Sequence, residues 1–467
     1  VPRVVIIGAG LTGLSAAYHL EKNNFFDFAI YEKESQPGGL MRSKHLDEWT
    51  FDYTGHYLHI SDPGFADFIN DISGIQNFNH IQRNAAIYAH NTHVGYPFQM
   101  NLFGLPTDII YECLNGYIKR TATRATPKTF YEWVLKHFGK GFGDHFFFPY
   151  NNKLLVYSIK KIHHSWTGRF VPQTSFYNIL KGALEKNPHE KIGYNSFFYY
   201  PKTGGIGSFI NNLATKITTP IQTNHHVVAI DQNKKKIFFS DGKTASYEIL
   251  ITTAPLDYTL KTLASSSMLP LSNVAQNLWC NAVVNFNLGF NVHDIGPYHW
   301  VYFPEKHYQF YRIGFWHNIN KSLAAPECSS IYGELSYQPK KHSRISIQKK
   351  VDISIAQTLN VLGLTNNDIK VALTLDLANA YVTYDLWREK NISKLLTTLE
   401  NMHIYSTGRF GAWKYSSMQE AYSDGKNAAS YAIASKSTQK NQQPTLIEYS
   451  LKFKHANTKE HSLSSNN

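Results

Sequence analysis

Cysteine is scarce: Cys113, Cys280 and Cys328 stand far apart in a chain of 467 residues. That spacing offers neither a disulfide framework nor a zinc site, and it suits a reducing, cytoplasmic setting. Long apolar runs are missing too. None reaches the roughly 20 residues of a membrane-spanning helix, and the strand-like opening segment does not read as a secretory signal peptide, so none is expected. Charged residues make up only 17%. Lys and Arg exceed Asp and Glu to give a formal charge of +12, but they are scattered. Short runs such as Lys234, Lys235 and Lys236 beside turn residues read as solvated loops rather than a nucleic-acid surface. The excess instead suits steering of an anionic small substrate. No repeat period is visible, which argues against solenoids and propellers. No Ser-His-Asp arrangement and no metal-ligand cluster stands out, so no metal is expected. Aromatic residues are plentiful, with 30 Tyr, 29 Phe and 8 Trp, enough for an aromatic core or for clefts that take flat or sugar ligands.

The first 32 residues carry the sharpest local signal. Val4, Val5, Ile6 and Ile7 form an apolar run suited to a strand buried on both faces. Gly8-Ala9-Gly10-Leu11-Thr12-Gly13 follows at once. Gly8 permits the tight turn, Gly10 lets backbone approach a pyrophosphate, and Gly13 lets the next helix pack closely on the strand. That helix, through Leu14, Ala16, Ala17 and Leu20, aims its N-terminal amides at the phosphates. A second strand, Phe28-Ala29-Ile30-Tyr31, ends at Glu32, about 20 residues past the turn, where a carboxylate can bond ribose hydroxyls. Together these define a Rossmann-like dinucleotide site.

Glu32 is followed by Lys33, then by Gly38-Gly39-Leu40 and Arg42. This resembles the glutathione-reductase-like FAD proteins of the amine oxidase type. The resemblance implies FAD rather than NAD, with Gly39 and Leu40 beside the cofactor and Arg42 near its phosphate or isoalloxazine. Later segments fit the same plan: Gly204-Gly205-Ile206-Gly207 before a helix over 208–217, a strand His226 to Ile230, a buried strand Ile249 to Thr252, a strand at Gly408-Arg409-Phe410-Gly411, and a helix from Met418. By resemblance, the backbone of Val227 or Val228 meets adenine, Arg409 lies in the flavin region, and the helix beginning at Met418 offers donors to the flavin pyrimidine.

At this length one core usually divides. The expected fold class is α/β: a Rossmann-like FAD-binding domain assembled from discontinuous segments (1–62, 190–276 and 383–434), a helical insertion (63–189) and a β-sheet substrate domain (277–382). Residues 435–467 are rich in Gln, Asn, Ser and Lys and read as a polar tail.

Further motifs narrow the family. Phe51-Asp52-Tyr53-Thr54-Gly55-His56, Gly95-Tyr96-Pro97-Phe98-Gln99-Met100-Asn101-Leu102, Pro149-Tyr150-Asn151-Asn152-Lys153 with Trp166, Tyr194-Asn195, and Trp300-Val301-Tyr302-Phe303-Pro304-Glu305 with Phe310-Tyr311-Arg312 occur in order. They resemble UDP-galactopyranose mutases, particularly the longer eukaryotic-type form. The resemblance implies that His56 lies against the flavin; that Tyr96, Phe98, Gln99 and Tyr302 surround the base; that Asn151 and Asn195 contact substrate; and that Arg312 and Tyr381 meet the diphosphate. Singly, each aromatic residue reads as core and Arg312 as an ion-pair partner; their joint order carries the reading. Three positions depart from the family pattern: Leu155 replaces a Trp, Phe170 replaces an Arg (with Arg169 adjacent), and Ile319 replaces a Tyr.

The implied activity is the interconversion of pyranose and furanose forms of a UDP-linked nucleotide sugar, with N5 of the reduced flavin as nucleophile and NADPH or NADH as reductant. His56 and Arg312 are the candidate catalytic residues. An FAD-dependent oxidoreductase of the amine oxidase or protoporphyrinogen oxidase type is the alternative. An oligomer is compatible with either.

Overall fold

A computed structural model describes residues 2–120, 125–168, 171–186, 196–264 and 271–435. Arg169, Phe170, Asn195 and the tail from residue 436 lie outside the described residues. The chain divides into two units, one built from Val1–Gly39, Leu213–Leu278 and Lys390–Asn467, the other from Leu40–Asn212 and Trp279–Glu389.

The first unit is organised around the opening strand. Val4–Ile7 pairs in parallel with Ile249–Thr252 on one side and Phe28–Tyr31 on the other. Ile404–Ser406 and Ile221–Gln222 extend the sheet to five parallel strands. Val4, Val5 and Ile6 are fully buried, as the unbroken apolar run requires of a strand covered on both faces. Helix Leu11–Lys22 packs along helix Met418–Ala434. Small residues allow this close approach: Ala16, Ala17, Ala428 and Ala429 are buried, and a Cβ on Gly425 would stand 2.4 Å from the Thr12 carbonyl oxygen. Ser15 Oγ donates to the Tyr422 carbonyl at 2.8 Å. An antiparallel meander, Val227–Asp231, Lys236–Phe239 and Thr244–Ser246, completes the unit's sheets.

One local expectation needs correction. Gly408–Gly411 is a helical turn, not a strand; the strand is Ile404–Ser406, just before it. Gly408 takes φ +82°, a left-handed backbone that ends the strand and turns the chain.

The second unit is built on a seven-stranded sheet in the order Ile369–Leu377, Ala282–Phe290, Ser329–Tyr337, Arg312–Phe315, Trp300–Tyr302, Ala85–Ala89 and Thr92–Gly95. All neighbours are antiparallel except Trp300–Tyr302 with Ala85–Ala89. Alternation separates its faces. Val284, Phe286, Leu288, Ile331 and Leu335 join Val351 and Leu359 of helix Arg344–Leu362 in one apolar core. The opposite face is polar at its centre. Asn285, Glu334, Arg312 and Tyr302 stand in register across four adjacent strands. A second core, rich in Phe98, Phe138, Phe142, Phe146 and Phe147, fills the helical segment that includes Thr107–Ile118, Phe130–His137 and Phe148–Leu155.

Asp52 ends strand Trp49–Asp52 and ties three segments of this unit together. It accepts from Ser43 Oγ at 2.5 Å, from Tyr200 Oη at 2.6 Å and from the Ile206 amide at 3.2 Å, so it holds the start of helix Gly205–Lys216. Burial raises its carboxyl to about 6, against the pull of those three donors. An acid whose folded pKa lies above its unfolded value binds the proton more tightly when folded. Its contribution to stability is therefore fullest below about pH 4 and is lost as pH rises through about 6. The Asp52→Asn variant lacks this component. The difference in urea unfolding free energy between wild type and Asp52→Asn should move against wild type by about 2–3 kcal/mol from pH 4 to pH 7.5. A difference that stays constant with pH would contradict this assignment.

Candidate active site

The dinucleotide elements of the first unit form a cradle of backbone. Gly8, at φ +96°, sits so close to Thr253 that a Cβ would lie 2.3 Å from its Oγ1. A Cβ on Gly13 would lie 1.8 Å from the Gly8 carbonyl oxygen, so helix and turn pack as only glycine permits. Gly10 faces Gly39, itself at φ +56°; a Cβ on Gly10 would meet nothing nearer than the Gly39 Cα at 3.8 Å. The two glycines thus bare a stretch of backbone without crowding it. Helix Leu11–Lys22 has no side-chain cap and no acidic residue in its first turn, which leaves its positive end to an anion. Glu32 is buried; Oε2 accepts the Ala9 amide at 2.7 Å and Oε1 the Glu34 amide at 3.0 Å. It therefore braces the turn as well as presenting a carboxylate. These residues fit the ribose and pyrophosphate of a dinucleotide.

The other cofactor candidates of this unit are placed as follows. Val228 is half-exposed and falls at the bulge between strands Val227–Asp231 and Lys236–Phe239, outside the pairing ladder. The Val227 carbonyl accepts from Tyr258 Oη at 2.6 Å. Lys33 is on the surface beside Glu34. Arg409 donates to the Ser416 carbonyl at 2.9 Å and lies over the Tyr415 ring at 4.6 Å. Met418 opens its helix behind a capping box, in which Glu420 accepts the Ser417 amide at 2.6 Å and Ser417 Oγ accepts the Glu420 amide at 3.3 Å.

In the second unit the polar sheet face gathers several candidates. Glu334, fully buried, accepts Arg312 Nε and Nη2, each at 2.8 Å. Burial works against the guanidinium charge, but the carboxylate more than offsets it and holds the Arg312 pKa above its ordinary value. This fork-to-fork pair engages the Nε–Nη2 edge of the guanidinium, and Nη1 takes no part in it. Tyr302 stands beside Arg312 in the sheet. Its ring lies 5.4 Å from Tyr96 and 5.6 Å, edge-on, from Tyr150. Arg83 lies over the Tyr96 ring at 4.7 Å. Burial raises Tyr150 and Tyr311 well above the ordinary phenol range, so both stay neutral donors. Among the described residues, Asn285 Nδ2 is buried without a hydrogen-bond partner, one strand from Glu334.

The His56 segment is fixed on the same unit. A Cβ on Gly55 would stand 2.2 Å from Tyr332 Oη, and the Tyr57 and Tyr332 hydroxyls are 3.1 Å apart. Tyr57 stacks on Trp300 with ring centres 5.1 Å apart. Half-buried His56 is bonded through Nδ1 to Thr54 Oγ1 at 3.0 Å. Arg42 lies over Tyr53 at 4.8 Å, and Leu40 packs on the aromatic core.

Other candidates are less available. Phe98 is fully enclosed, stacked on Phe146 at 5.1 Å, and presents no surface to a ligand. Gln99 is buried and donates to the Pro172 carbonyl at 2.9 Å. Asn151 is buried; its Nδ2 donates to the Phe147 carbonyl and its Oδ1 accepts from Trp166 Nε1 at 3.4 Å. The Tyr381 amide donates to Asn281 Oδ1 at 2.7 Å. Leu155 and Ile319, the departures that are described, are buried apolar residues. Sequence reasoning missed Glu334 and Tyr332; the available signal was a lone acid inside the otherwise apolar run Ile331 to Leu335. Among the described residues no group of His, Cys, Asp and Glu could hold a metal ion, and no helix is long and apolar enough to cross a membrane.

Residues 11–297 match the model of the flavin containing amine oxidoreductases. The chain belongs to that family: it is an FAD-dependent enzyme of the amine oxidase superfamily, as the resemblance at Gly38-Gly39-Leu40 and Arg42 implied. Within the superfamily its structure is similar to that of reduced UDP-galactopyranose mutase, with a TM-score of 0.86 at 26% identity, covering 93% of this chain and 94% of that one. Other similar structures share the fold alone. A protein assigned as a protoporphyrinogen oxidase from Exiguobacterium sp. 255-15 gives a TM-score of 0.71 at 16% identity, over 92% of this chain and 99% of that one. A putrescine oxidase with redesigned cofactor binding gives 0.64 at 14%, over 92% and 99%.

The spacing around Gly10 yields a direct test of the cradle. Since a Cβ there meets only Gly39 Cα, at 3.8 Å, Gly10→Val should fold with wild-type secondary structure. It should nevertheless purify without yellow colour, with FAD affinity down by about a hundredfold or more, roughly 2.7 kcal/mol. Flavin absorbance and circular dichroism on the same sample check both parts.

Proposed function

We propose that this enzyme interconverts the pyranose and furanose forms of a UDP-linked sugar. The observation that carries the reading is the row Tyr302–Arg312–Glu334 on the polar sheet face, bordered by Tyr96 and Tyr150. A charge-fixed guanidinium beside an aromatic pair suits a diphosphate next to a planar base. The likeness to the mutase supports the same reading.

Gly8, Gly10, Gly13 and Gly39 admit the FAD pyrophosphate, Glu32 takes the ribose, and the Val228 backbone meets adenine. In the first unit Arg409 and the start of the Met418 helix are the candidates for the flavin end; in the second, Leu40, Arg42 and His56 are the candidates that the family resemblance implies. FAD held there would supply, in its reduced form, a nucleophile toward the sugar, with NADPH or NADH as the reductant. The chain's own residues orient and stabilise. Tyr96 and Tyr302, already in contact at 5.4 Å, offer one aromatic surface beside which uracil stacks, and Gln99 contributes once its bond to Pro172 opens. Arg312 and Tyr381 donate to the diphosphate and stabilise its charge as the bond to the sugar breaks. Asn151 is the candidate substrate contact on its helix, and the matching call at Asn195 lies outside the described residues. Phe98 acts from behind, as packing. With Leu155 and Ile319 apolar, fewer polar groups grip the sugar-diphosphate than the family pattern has, so Arg312 carries a larger share.

Arg312→Lys tests this without stranding Glu334. It keeps a positive charge beside the carboxylate but loses the planar fork. UDP affinity, measured by calorimetry on FAD-loaded protein, should fall about 10- to 100-fold, or roughly 1.4–2.7 kcal/mol, with flavin content unchanged. Unaltered UDP affinity, or no UDP binding by wild type, would overturn the reading. Oxygen consumption with an amine or a porphyrinogen would replace it with the oxidoreductase.

A further inference from the structure

The strands that carry Tyr302 and Arg312 form a hairpin. Trp300–Tyr302 runs out, residues 303–311 turn, and Arg312–Phe315 returns, with Tyr302 opposite Arg312. Where these two side chains point depends on how the turn is held. On one side Gln357 holds it, its Oε1 accepting the Gln309 amide at 3.0 Å and its Nε2 donating to the His307 carbonyl at 2.7 Å. On the other side stands a cation. Lys153 Nζ donates to the carbonyls of Phe303 at 2.8 Å, Glu305 at 2.5 Å and Phe310 at 3.1 Å. These carbonyls come from both arms of the turn, one of them next to Tyr302 and another two residues before Arg312.

We infer that Lys153 is a positioning residue for the nucleotide site, its ammonium locking the 303–311 turn so that Tyr302 and Arg312 face the same ligand. An ammonium has three N–H groups in roughly tetrahedral array, and three carbonyls take them, so the site is matched to a charged lysine. Charge-assisted hydrogen bonds of this kind are stronger than neutral ones. Lys153 also belongs to the helix Phe148–Leu155, which contributes Tyr150 and Asn151. The clamp therefore registers two groups of candidate substrate residues against each other. Burial pushes Lys153 down to about 7 while Glu305 works in the other direction. Among the described residues, Glu305 Oε2 is buried with no hydrogen-bond partner, and its carboxylate favours the Lys153 charge through space, without a direct ion pair.

The inference rests on the reading that Tyr302 and Arg312 receive a uridine diphosphate, and two readouts separate them. In FAD-loaded full chain, Lys153→Met should raise amide exchange across residues 303–311 by about tenfold or more while protection in the rest of the sheet holds. The same variant should weaken UDP binding by about tenfold or more, and Lys153→Arg should bring both values back to within about threefold of wild type. Lys153→Gln, which keeps two donors, serves if Lys153→Met fails to fold, and should show an intermediate loss. Unchanged exchange at 303–311 in a folded variant would overturn the clamp. So would a loss of UDP affinity that Lys153→Arg does not restore. If wild type binds no UDP, the nucleotide reading fails and the positioning role falls with it, while the exchange data still decide whether Lys153 holds the turn.

Discussion

The buried pair of Arg312 and Glu334 is the constraint on which the second unit's site depends. A carboxylate at the centre of a sheet, almost without solvent exposure, costs several kcal/mol unless a cation and hydrogen bonds meet it. Arg312 does so from the neighbouring strand, in register. A slip of one residue would turn Glu334 into the apolar core and Arg312 away from it, so the pair fixes the register of the hairpin and with it the place of Tyr302. One row along, Tyr332 crosses Gly314, where a Cβ would stand 1.9 Å from its ring. From that ring the Tyr57 hydroxyl contact and the Gly55 approach locate the His56 segment. A chain of close, specific contacts thus runs from one ion pair to the candidate residues of this unit.

The two kinds of recognition have different physical bases. The cofactor elements of the first unit act mostly through backbone: glycines that leave room, an uncapped helix start, and a carboxylate bonded to the turn it supports. The candidate substrate elements act through side chains on a sheet face, held by partners one strand or one helix away. Leu155 and Ile319, the described departures from the family pattern, both lie in the second unit. That separation explains how a single fold accommodates proteins known by names as different as a mutase and a putrescine oxidase.

It also explains what could be read before the structure. Strand, glycine turn, helix and Glu32 lie within 32 consecutive residues, and local sequence determines local geometry there; a Rossmann-like dinucleotide site followed from them, and FAD from the resemblance carried by Gly38-Gly39-Leu40 and Arg42. Gly408–Gly411 was misread because two glycines around Arg and Phe do not say whether the chain extends or turns; the left-handed Gly408 decides it. Glu334 was invisible because its meaning comes from the register of a strand 22 positions further along than Arg312. Phe98 and Gln99 sit in the segment the motif indicated, yet one turned into the core and the other toward Pro172, since a motif fixes position in the chain and not which face a side chain takes. The strands Ala85–Ala89 and Thr92–Gly95 join a sheet otherwise drawn from residues beyond 280, a pairing that no local pattern shows.

Turnover tests the central claim most directly. FAD-loaded protein, reduced and kept free of oxygen, is given UDP-galactofuranose, and the products are separated by chromatography. The expected result is UDP-galactopyranose formed over many turnovers with the flavin still reduced at the end. Unchanged UDP-galactofuranose would contradict the account, as would flavin reoxidation in step with formation of a different product.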